Sequence, residues 1–284
     1  MKVGLVLEGG ALRGLFSAGV MDVLMEEGVS FDGLIGVSAG AAFGCNYKSG
    51  QAGRAIRYNI RFAKDWRYCS WRSWVKTGDL FGGEFCYHYM PRELDVFDVP
   101  SFNDNPMEYY VVCTDVETGH VVYQKIMQGS DKAYEYIRAS ASMPVVSKIV
   151  DIEGRKLLDG GVTDSIPLRH FQEIGYERNV VVLTQPAGYQ KEHNRLMPLM
   201  RVALRKYPNM IHALDTRHIM YNEQLEFVRQ QEAAGNTFVI RPPEKLRIGH
   251  VSHDAKEMRD VYEIGRQTAM RYIKPLKKFI QDAV

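Results

Sequence analysis

The chain carries Gly36-Val37-Ser38-Ala39-Gly40 between two segments of different character. Residues 31–37 form a short apolar run that predicts a strand, and the small residues 39–47 suit a helix. A serine between glycines at such a junction is typical of a sharp turn that exposes the hydroxyl, because glycine has no Cβ atom to clash there. The helix N-terminus also favours negative charge beside Ser38. The pentapeptide predicts a nucleophile, with a plain turn and a capping serine as the alternative.

The residues before this turn show the same order of elements. Val3–Leu7 is a short apolar run that predicts a buried strand, and from Leu15 the apolar residues follow helical spacing until Gly28. Residues 1–47 therefore alternate strand, helix, strand, helix, which indicates an α/β domain with a parallel sheet.

Further strands and helices are predicted along the rest of the chain. The predicted strands are 108–114, 120–125, 149–158, 179–184 and 238–241, and the first two of these can form an antiparallel hairpin. The predicted helices are 131–139, 194–205, 210–233 and 254–280. No linker rich in glycine, serine and proline separates two domains. We therefore predict an α/β core over residues 1–184 and a mainly helical C-terminal region over residues 185–284 that packs on it.

Composition excludes several classes of protein. The 284 residues include 36 lysines and arginines against 34 aspartates and glutamates, and this net charge of +2 is not the basic excess of a nucleic-acid-binding protein. An apolar content of 45% is too high for a disordered chain. Four cysteines without a CxxC pair or metal-ligand spacing indicate reduced thiols, and no apolar run is long enough for a signal peptide or a membrane span. We expect a cytoplasmic protein, or a peripheral membrane protein.

A second glycine-rich loop, Gly9-Gly10-Ala11-Leu12-Arg13-Gly14, also lies between a predicted strand and a helix. A P-loop needs lysine and then serine or threonine after its last glycine, where this chain has Leu15 and Phe16. A dinucleotide fingerprint needs glycine where Ala11 stands. The third use is an oxyanion hole, whose backbone N–H groups face the oxygen that gains charge during acyl transfer. Only this third use accounts for both glycine-rich turns together.

The serine hydroxyl needs a base, and the sequence offers two kinds of candidate. His250 and His253 come late enough for the order serine, acid, histidine of an α/β-hydrolase, but only two strands precede Ser38, fewer than that fold has. The other candidate is Asp159, in Asp159-Gly160-Gly161 at the end of a predicted strand, although Asp-Gly-Gly is also an ordinary turn sequence.

Together, the three motifs resemble the patatin-like phospholipase family in their order and approximate spacing. A weaker block, Arg138-Ala139-Ser140-Ala141-Ser142-Met143-Pro144, is similar to the segment that this family has before its aspartate, and Asp164-Ser165-Ile166-Pro167 is similar to the stretch after it. The resemblance covers about residues 1–185. It implies a three-layer α/β/α fold with a central, mainly parallel sheet, to which the helical C-terminal region is added.

The resemblance implies a serine acyl hydrolase that cleaves carboxylic esters of lipids through an acyl-enzyme, without a metal ion or organic cofactor. Ser38 is the implied nucleophile, Asp159 the implied general base, and the amides of Gly9, Gly10 and Ala11 the implied oxyanion hole. The supporting residues of the motifs are Arg13, Gly14, Gly36, Gly40, Gly160 and Gly161. Two alternatives remain open, namely an α/β-hydrolase with a serine–aspartate–histidine triad and a non-catalytic lipid- or phosphate-binding module.

For three residues of these motifs, physical chemistry predicts the local conformation or surroundings. Ala11 stands where many members of the family have glycine, so a positive φ there would cost on the order of 1 kcal/mol. Asp159 should be partly buried, because an unperturbed aspartate, with a pKa of about 3.9, is a weak base. Arg13 lies in the first turn of a helix, where a cation opposes the dipole. We expect a salt bridge from Arg13 to a carboxylate such as Glu8, with a substrate phosphate as the alternative partner.

Two regions are candidates for contact with a membrane. Residues 66–90 hold 8 of the 31 aromatic side chains, which suits a lid over an acyl pocket, a lipid–water interface or an internal cluster. Residues 241–284 hold 10 basic and 6 acidic residues, a local charge of +4, with Lys274, Lys277 and Lys278 near the end of the last predicted helix. We expect a solvated helix face there, with attraction to anionic lipid as the alternative.

Overall fold

Eight short, largely apolar segments form one central sheet in the computed structural model, which describes residues 1–282. The strands are β1 Val3–Leu7, β2 Gly33–Val37, β3 Glu108–Asp115, β4 Val121–Ile126, β5 Val150–Ile152, β6 Arg155–Asp159, β7 Arg178–Val182 and β8 Thr237–Ile240. Strands β3, β2, β1, β7 and β8 lie side by side in that order and run parallel. The predicted hairpin is confirmed, since β4 pairs antiparallel with β3, and β6 and β5 continue the sheet antiparallel.

Ten α-helices accompany the sheet in residues 1–282. They are α1 Gly14–Glu26, α2 Ala39–Lys48, α3 Arg54–Phe62, α4 Trp71–Thr77, α5 Val99–Asp104, α6 Asp131–Ser140, α7 Leu168–Glu173, α8 Met197–Ala203, α9 Pro208–Ala233 and α10 Ala255–Gln281. Single 3-10 turns at Ala11–Arg13 and Gly160–Val162 follow β1 and β6, and a π-helix spans Phe85–Leu94.

Helices cover both faces of the sheet, so β1 and β2 are buried along their whole length. Alternate side chains of the strands enter two separate cores. Leu5 and Leu34 belong to the core that includes α1, α2, α3 and α10, whereas Val6 and Ile35 belong to the core that includes α7 and α9. This arrangement confirms the predicted α/β/α layers around a mainly parallel sheet.

The C-terminal region supplies one strand as well as its helices. β8 extends the sheet in parallel beside β7, and α10 packs along α1. The sheet therefore continues past residue 184, and the division of the chain at that residue stays a prediction, with residues 283 and 284 of the predicted region lying outside the described residues. Within residues 1–282, no helix is both long enough and apolar enough to cross a membrane.

Candidate active site

Strand β3 brings the ends of β2 and β6 together. β2 pairs with β3 as far as Val37 opposite Val112, and β6 pairs with it from Asp159 opposite Cys113. Because β4 occupies the other edge of β3 along this stretch, β2 and β6 share one edge and their ends meet. Ser38 and Asp159 therefore lie close together at the carboxyl end of the parallel strands, where α/β folds place their sites.

The turn at Ser38 is sharp enough to strain the backbone. Ser38 has φ 54° and ψ −120°, a combination that residues other than glycine rarely adopt. The turn also closes against its surroundings, since a Cβ atom on Gly36 would lie 2.6 Å from backbone atoms of Gly40 and Ala41, and one on Gly40 would lie 2.5 Å from the Leu7 carbonyl oxygen. Both glycines of the pentapeptide are therefore required by close backbone contact.

The segment before the aspartate holds the backbone of both predicted catalytic residues. The Ser38 amide donates to Ser140 Oγ at 2.9 Å, and that hydroxyl donates to the Val112 carbonyl oxygen at 2.6 Å. The Asp159 amide donates to the Ser142 carbonyl oxygen at 2.9 Å. The segment 138–144, whose sequence resemblance was weak, thus has a physical role. It holds the backbone at Ser38, after β2, in place relative to the backbone at Asp159, at the end of β6.

Asp159 is buried, with 7% of its surface exposed. Its Oδ1 accepts a hydrogen bond from the Gly161 amide at 2.7 Å. Burial raises the pKa of the Asp159 carboxyl, while the Arg217 charge, the Ser38 hydroxyl and the Gly161 amide oppose this rise. A carboxylate with a raised pKa is a stronger base than a free aspartate.

The glycine-rich loop touches the Ser38 turn. A Cβ atom on Gly9 would lie 2.9 Å from Ser38 Cβ, so only glycine allows this approach. Ala11 has φ 49°, a positive value that is strained for a residue other than glycine. Within residues 1–282, the half-buried amides of Gly9, Gly10 and Ala11 donate to no protein acceptor. Three free N–H groups are thus available in the loop beside the serine.

The other glycines of the motifs lie where these loops join the helices. Gly14 begins α1, and Gly160 and Gly161 begin the 3-10 turn that follows β6. A Cβ atom on Gly160 would lie 2.2 Å from the Val112 carbonyl oxygen, so this turn lies directly against β3.

The expected salt bridge between Arg13 and Glu8 is wrong. Glu8 is buried and its two carboxylate oxygens accept from the Thr184 amide at 2.6 Å and from the Tyr221 hydroxyl at 2.5 Å. These neutral donors occupy the positions that a guanidinium would take. Arg13 Nε is buried and has no hydrogen-bond partner in residues 1–282.

No histidine completes a triad with Ser38 and Asp159 in residues 1–282. His253 Nδ1 forms a hydrogen bond with the Ala63 carbonyl oxygen at 2.6 Å, and His250 contacts no carboxylate. The carboxylate partners of histidine rings are Glu135 for His88 and Asp215 for His193. The same residues 1–282 contain no cluster of three or more histidine, cysteine, aspartate or glutamate side chains that could hold a metal ion.

An apolar cavity of about 100 Å³ opens beside Ser38. Ala11 and Leu12 of the glycine-rich loop line it together with Ser38, and the rest of its wall is mostly apolar and aromatic. The aromatic lining residues include Phe43, Tyr58, Tyr68, Phe81, Tyr87 and Tyr134. A cavity of this character can hold an acyl chain while the ester carbonyl lies at the serine.

The aromatic segment 66–90 divides between this cavity and the surface. Tyr68, Phe81 and Tyr87 line the cavity, but Trp71 and Trp74 lie on α4 and are 66% and 37% exposed. The apolar side of α10, in contrast, packs into the core through Leu276. Exposed aromatic surface is therefore concentrated on α4, which carries two tryptophans, while α10 exposes the single ring of Tyr272.

Sequence reasoning missed several residues that surround the site. Thr184 and Tyr221 hold Glu8, and the Arg217 Nε donates to the Gly161 carbonyl oxygen at 2.5 Å. Thr184 had a detectable signal, because it is the last residue of a predicted parallel strand. Tyr221 and Arg217 had none, since a helix of 26 residues presents many such side chains.

Two family models match the chain. A model of patatin-like phospholipases matches residues 5–171, and a model of a domain of unknown function, DUF6363, matches residues 207–281. The first match contains Ser38, Asp159 and the glycine-rich loop. The second contains the whole of α9, β8 and α10.

Individual relatives include bacterial and fungal proteins. The uncharacterized protein YjjU of Escherichia coli K12 is 26% identical over 99% of this chain and 80% of its own length. Lysophospholipase nte1 of Aspergillus oryzae is 30% identical over 61% of this chain, and that of Aspergillus terreus is 25% identical over 97%. This chain spans only 11% and 18% of those two lysophospholipases. In structure it is similar to VipD from Legionella pneumophila, with a TM-score of 0.48 and 12% identity over 96% of this chain and 67% of VipD.

Proposed function

Because the chain belongs to the patatin-like phospholipase family, we propose that it hydrolyses carboxylic esters of lipids with Ser38 as nucleophile and Asp159 as general base. The observation that carries this proposal is the convergence of four features at one point. A strained serine, a buried aspartate, three free amides and one wall of an apolar cavity lie together at the carboxyl end of the parallel strands.

In the proposed reaction, Ser38 Oγ attacks the ester carbonyl carbon while its proton passes to Asp159. The amides of Gly9, Gly10 and Ala11 donate to the oxygen that becomes negative. The tetrahedral intermediate then expels the alcohol, which takes the proton from Asp159, and an acyl-enzyme remains. Asp159 next removes a proton from water, the hydroxyl attacks the acyl-enzyme, and the fatty acid leaves as Ser38 regains its proton.

The test is a panel of esters offered to the full chain and to single variants. A lysophospholipid, a diacyl phospholipid, an acylglycerol and p-nitrophenyl butyrate sample the lipid and simple ester classes. We expect Ser38→Ala to lower hydrolysis about 10⁴-fold or more, and Asp159→Asn about 10³-fold. Ser101→Ala and Asp104→Asn, both on the short surface helix α5, are matched controls that should retain wild-type rates.

The same panel separates the two alternatives. A triad mechanism requires that the double variant His250→Ala/His253→Ala lose hydrolysis of p-nitrophenyl butyrate, whereas a dyad leaves that rate within about tenfold of wild type. A non-catalytic binding module would give no turnover that depends on Ser38. The absence of any histidine contact to Asp159 within residues 1–282 favours the dyad.

We also propose that α4 contacts a lipid surface and that the protein works in the cytoplasm. Trp71, Trp74 and Val75 are exposed on α4, and the basic residues Arg72 and Lys76 lie on the same short helix. This combination suits a membrane interface with anionic lipid. The cytoplasmic location rests on the four cysteines, all of which are free thiols.

A further inference from the structure

Three basic side chains beside the proposed active site form no salt bridge within residues 1–282. Arg13 Nε is buried without a hydrogen bond, Lys191 Nζ lies 5.2 Å from the centre of the Tyr221 ring, and Arg217 Nε donates to a carbonyl oxygen. None of the ion pairs found in residues 1–282 includes any of the three. Most other half-buried cations of the chain, such as Arg138, are paired with carboxylates.

Contacts between α9 and the glycine-rich loop bring Arg13 and Arg217 close to each other. Arg217 and Tyr221 are one turn apart on α9, so their side chains lie on the same face. The Tyr221 hydroxyl donates to Glu8, which directly precedes the glycine-rich loop, and a Cβ atom on Gly10 of that loop would lie 3.3 Å from Arg13 Cβ.

Lys191 is held at the same place by its backbone. Its amide donates to Asn222 Oδ1 at 2.8 Å and its carbonyl oxygen accepts from Asn222 Nδ2 at 3.1 Å. Because Asn222 follows Tyr221 on α9, this double contact keeps the Lys191 side chain over the tyrosine ring.

The cations stand close to the groups proposed for chemistry. Arg217 Nη2 would lie 3.2 Å from a Cβ atom on Gly161, whose amide donates to Asp159. Burial lowers the pKa of Lys191 to about 8, and the charges of Arg217 and Arg13 act in the same direction. The nearby acids are Glu8, whose two oxygens already accept hydrogen bonds, and Asp159, whose pKa the Arg217 charge lowers. Like charges held together in a partly buried site are unfavourable unless an anion binds among them.

We propose that Arg13, Lys191 and Arg217 form a subsite for the phosphate group of a lipid substrate, a proposal that rests on the function proposed above. Guanidinium and ammonium groups bind phosphate through charge-assisted hydrogen bonds. Two of the three cations come from residues beyond the patatin-like match, and Arg217 lies in the region that matches a domain of unknown function. The C-terminal region is then part of the active site, and it makes the enzyme prefer phosphate-bearing lipids to neutral acylglycerols.

The test compares two lipids that differ only in phosphate, a lysophosphatidic acid and the monoacylglycerol with the same acyl chain. We expect wild-type kcat/KM to be about tenfold higher for the lysophosphatidic acid. Lys191→Met should remove about tenfold from that value and leave monoacylglycerol and p-nitrophenyl butyrate within about twofold. Lys191→Arg keeps the charge and should keep the preference. Lys274→Met, which removes the same charge from the exposed side of α10, should change nothing.

Binding to the full chain with Ser38→Ala separates the subsite from the chemistry. The lysophosphatidic acid should bind this variant about tenfold more tightly than the monoacylglycerol, and Lys191→Met in addition should abolish the difference. Equal binding of the two lipids overturns the subsite, even if ester hydrolysis by wild type is normal. Conversely, preferential binding without any wild-type hydrolysis contradicts the proposed function and leaves the subsite in place.

An experiment with inorganic phosphate tests whether the three cations bind free phosphate and not the phosphate group of a lipid. If phosphate raises the Tm of wild type but not of Lys191→Met, while the two lipids bind equally, the cations bind free phosphate and the lipid assignment is wrong. The proposal expects the lipid preference whether or not free phosphate also competes for the subsite.

Discussion

Ser38 and Ala11 both hold backbone conformations that glycine adopts far more easily, with φ 54° and φ 49°. They lie on neighbouring loops, one carrying the proposed nucleophile and the other a proposed oxyanion donor. Each such conformation costs on the order of 1 kcal/mol or more, and such strain persists where the surrounding structure enforces it. Here the enforcement is visible in the close packing of Gly9 against Ser38 and of Gly40 against β1.

Arg217 should set the pH at which Asp159 becomes a base. The Arg217 charge lowers the pKa of Asp159, so its removal should raise that pKa further. Because the base must be deprotonated, we expect the acid limb of the kcat/KM profile for p-nitrophenyl butyrate to move to higher pH in Arg217→Gln. Arg229→Gln, on the exposed part of the same helix, should leave the profile unchanged. An acid limb at the same pH in both variants would contradict the electrostatic role of Arg217.

Among the elements, the π-helix Phe85–Leu94 links the aromatic segment to the cavity. Pro91 lies inside this helix, and Cys86, Tyr87 and Met90 from it line the cavity. A wide helix presents side chains with a spacing that differs from 3.6 residues per turn, and such helices occur often at functional sites. The segment therefore serves partly as the wall of the proposed acyl site, while α4 in front of it leaves its tryptophans at the surface.

The exposed face of α4 should govern attachment to membranes. Trp71→Ser/Trp74→Ser removes two largely exposed rings whose centres are 5.9 Å apart, so we expect weaker binding to vesicles of anionic phospholipid with little change in Tm. Ile219→Ser/Met270→Ser removes two apolar side chains that are also about half exposed, on α9 and α10, and serves as the control. Vesicle sedimentation measures the difference. Unchanged partitioning of the tryptophan variant would remove the membrane role of α4.

At the scale of the whole molecule, the sequence predicted the parallel sheet and its layers better than it predicted the surroundings of the site. Strand-to-helix turns at Ser38 and in the glycine-rich loop have local causes, namely apolar runs and glycines, and these are readable in one dimension. The position of β6, antiparallel to β3 and next to the end of β2, cannot be predicted in this way, because it depends on which edge of β3 remains free. The same holds for Arg217, which reaches the site from a helix far along the chain.

Residues 48–107 show a second limit of sequence reasoning. We predicted no elements there, yet the structure has α3, α4, the π-helix and α5 in this stretch. These helices are short, and the amphipathic period is interrupted by Gly78, Gly82 and Pro91. The positions of these helices are determined by tertiary contacts, such as the ion pair of Arg54 with Asp95 and the hydrogen bond between Tyr68 and Asn59. The residues in such contacts do not recur at a regular spacing, so they leave no periodic signal in the sequence.

Buried carboxyl groups should give the whole protein an unusual dependence of stability on pH. Burial raises the pKa of Asp164 from 3.8 to about 6, and the pKa values of Glu8 and Asp22 rise for the same reason. Because the folded-state pKa of Asp164 lies above the unfolded value, its carboxyl group contributes fully to the free energy of unfolding below pH 3.8. This contribution is lost as the pH rises through about 6.

We therefore expect Asp164→Asn to reduce the difference in unfolding free energy between pH 4 and pH 7 by up to about 3 kcal/mol, measured by urea unfolding. Asp104→Asn, at an exposed aspartate, should leave that difference as in wild type. An identical pH dependence in wild type and Asp164→Asn would show that the Asp164 carboxyl titrates normally.

The most direct test of the account is covalent labelling with a fluorophosphonate, followed by mass spectrometry of the modified peptide. This reagent reacts with serines that are activated as nucleophiles, so we expect a single adduct on Ser38, at a rate that falls steeply in Asp159→Asn and is unchanged in His250→Ala/His253→Ala. Absence of labelling, an adduct on another residue, or labelling of Ser38 that does not depend on Asp159 would contradict the Ser38–Asp159 dyad.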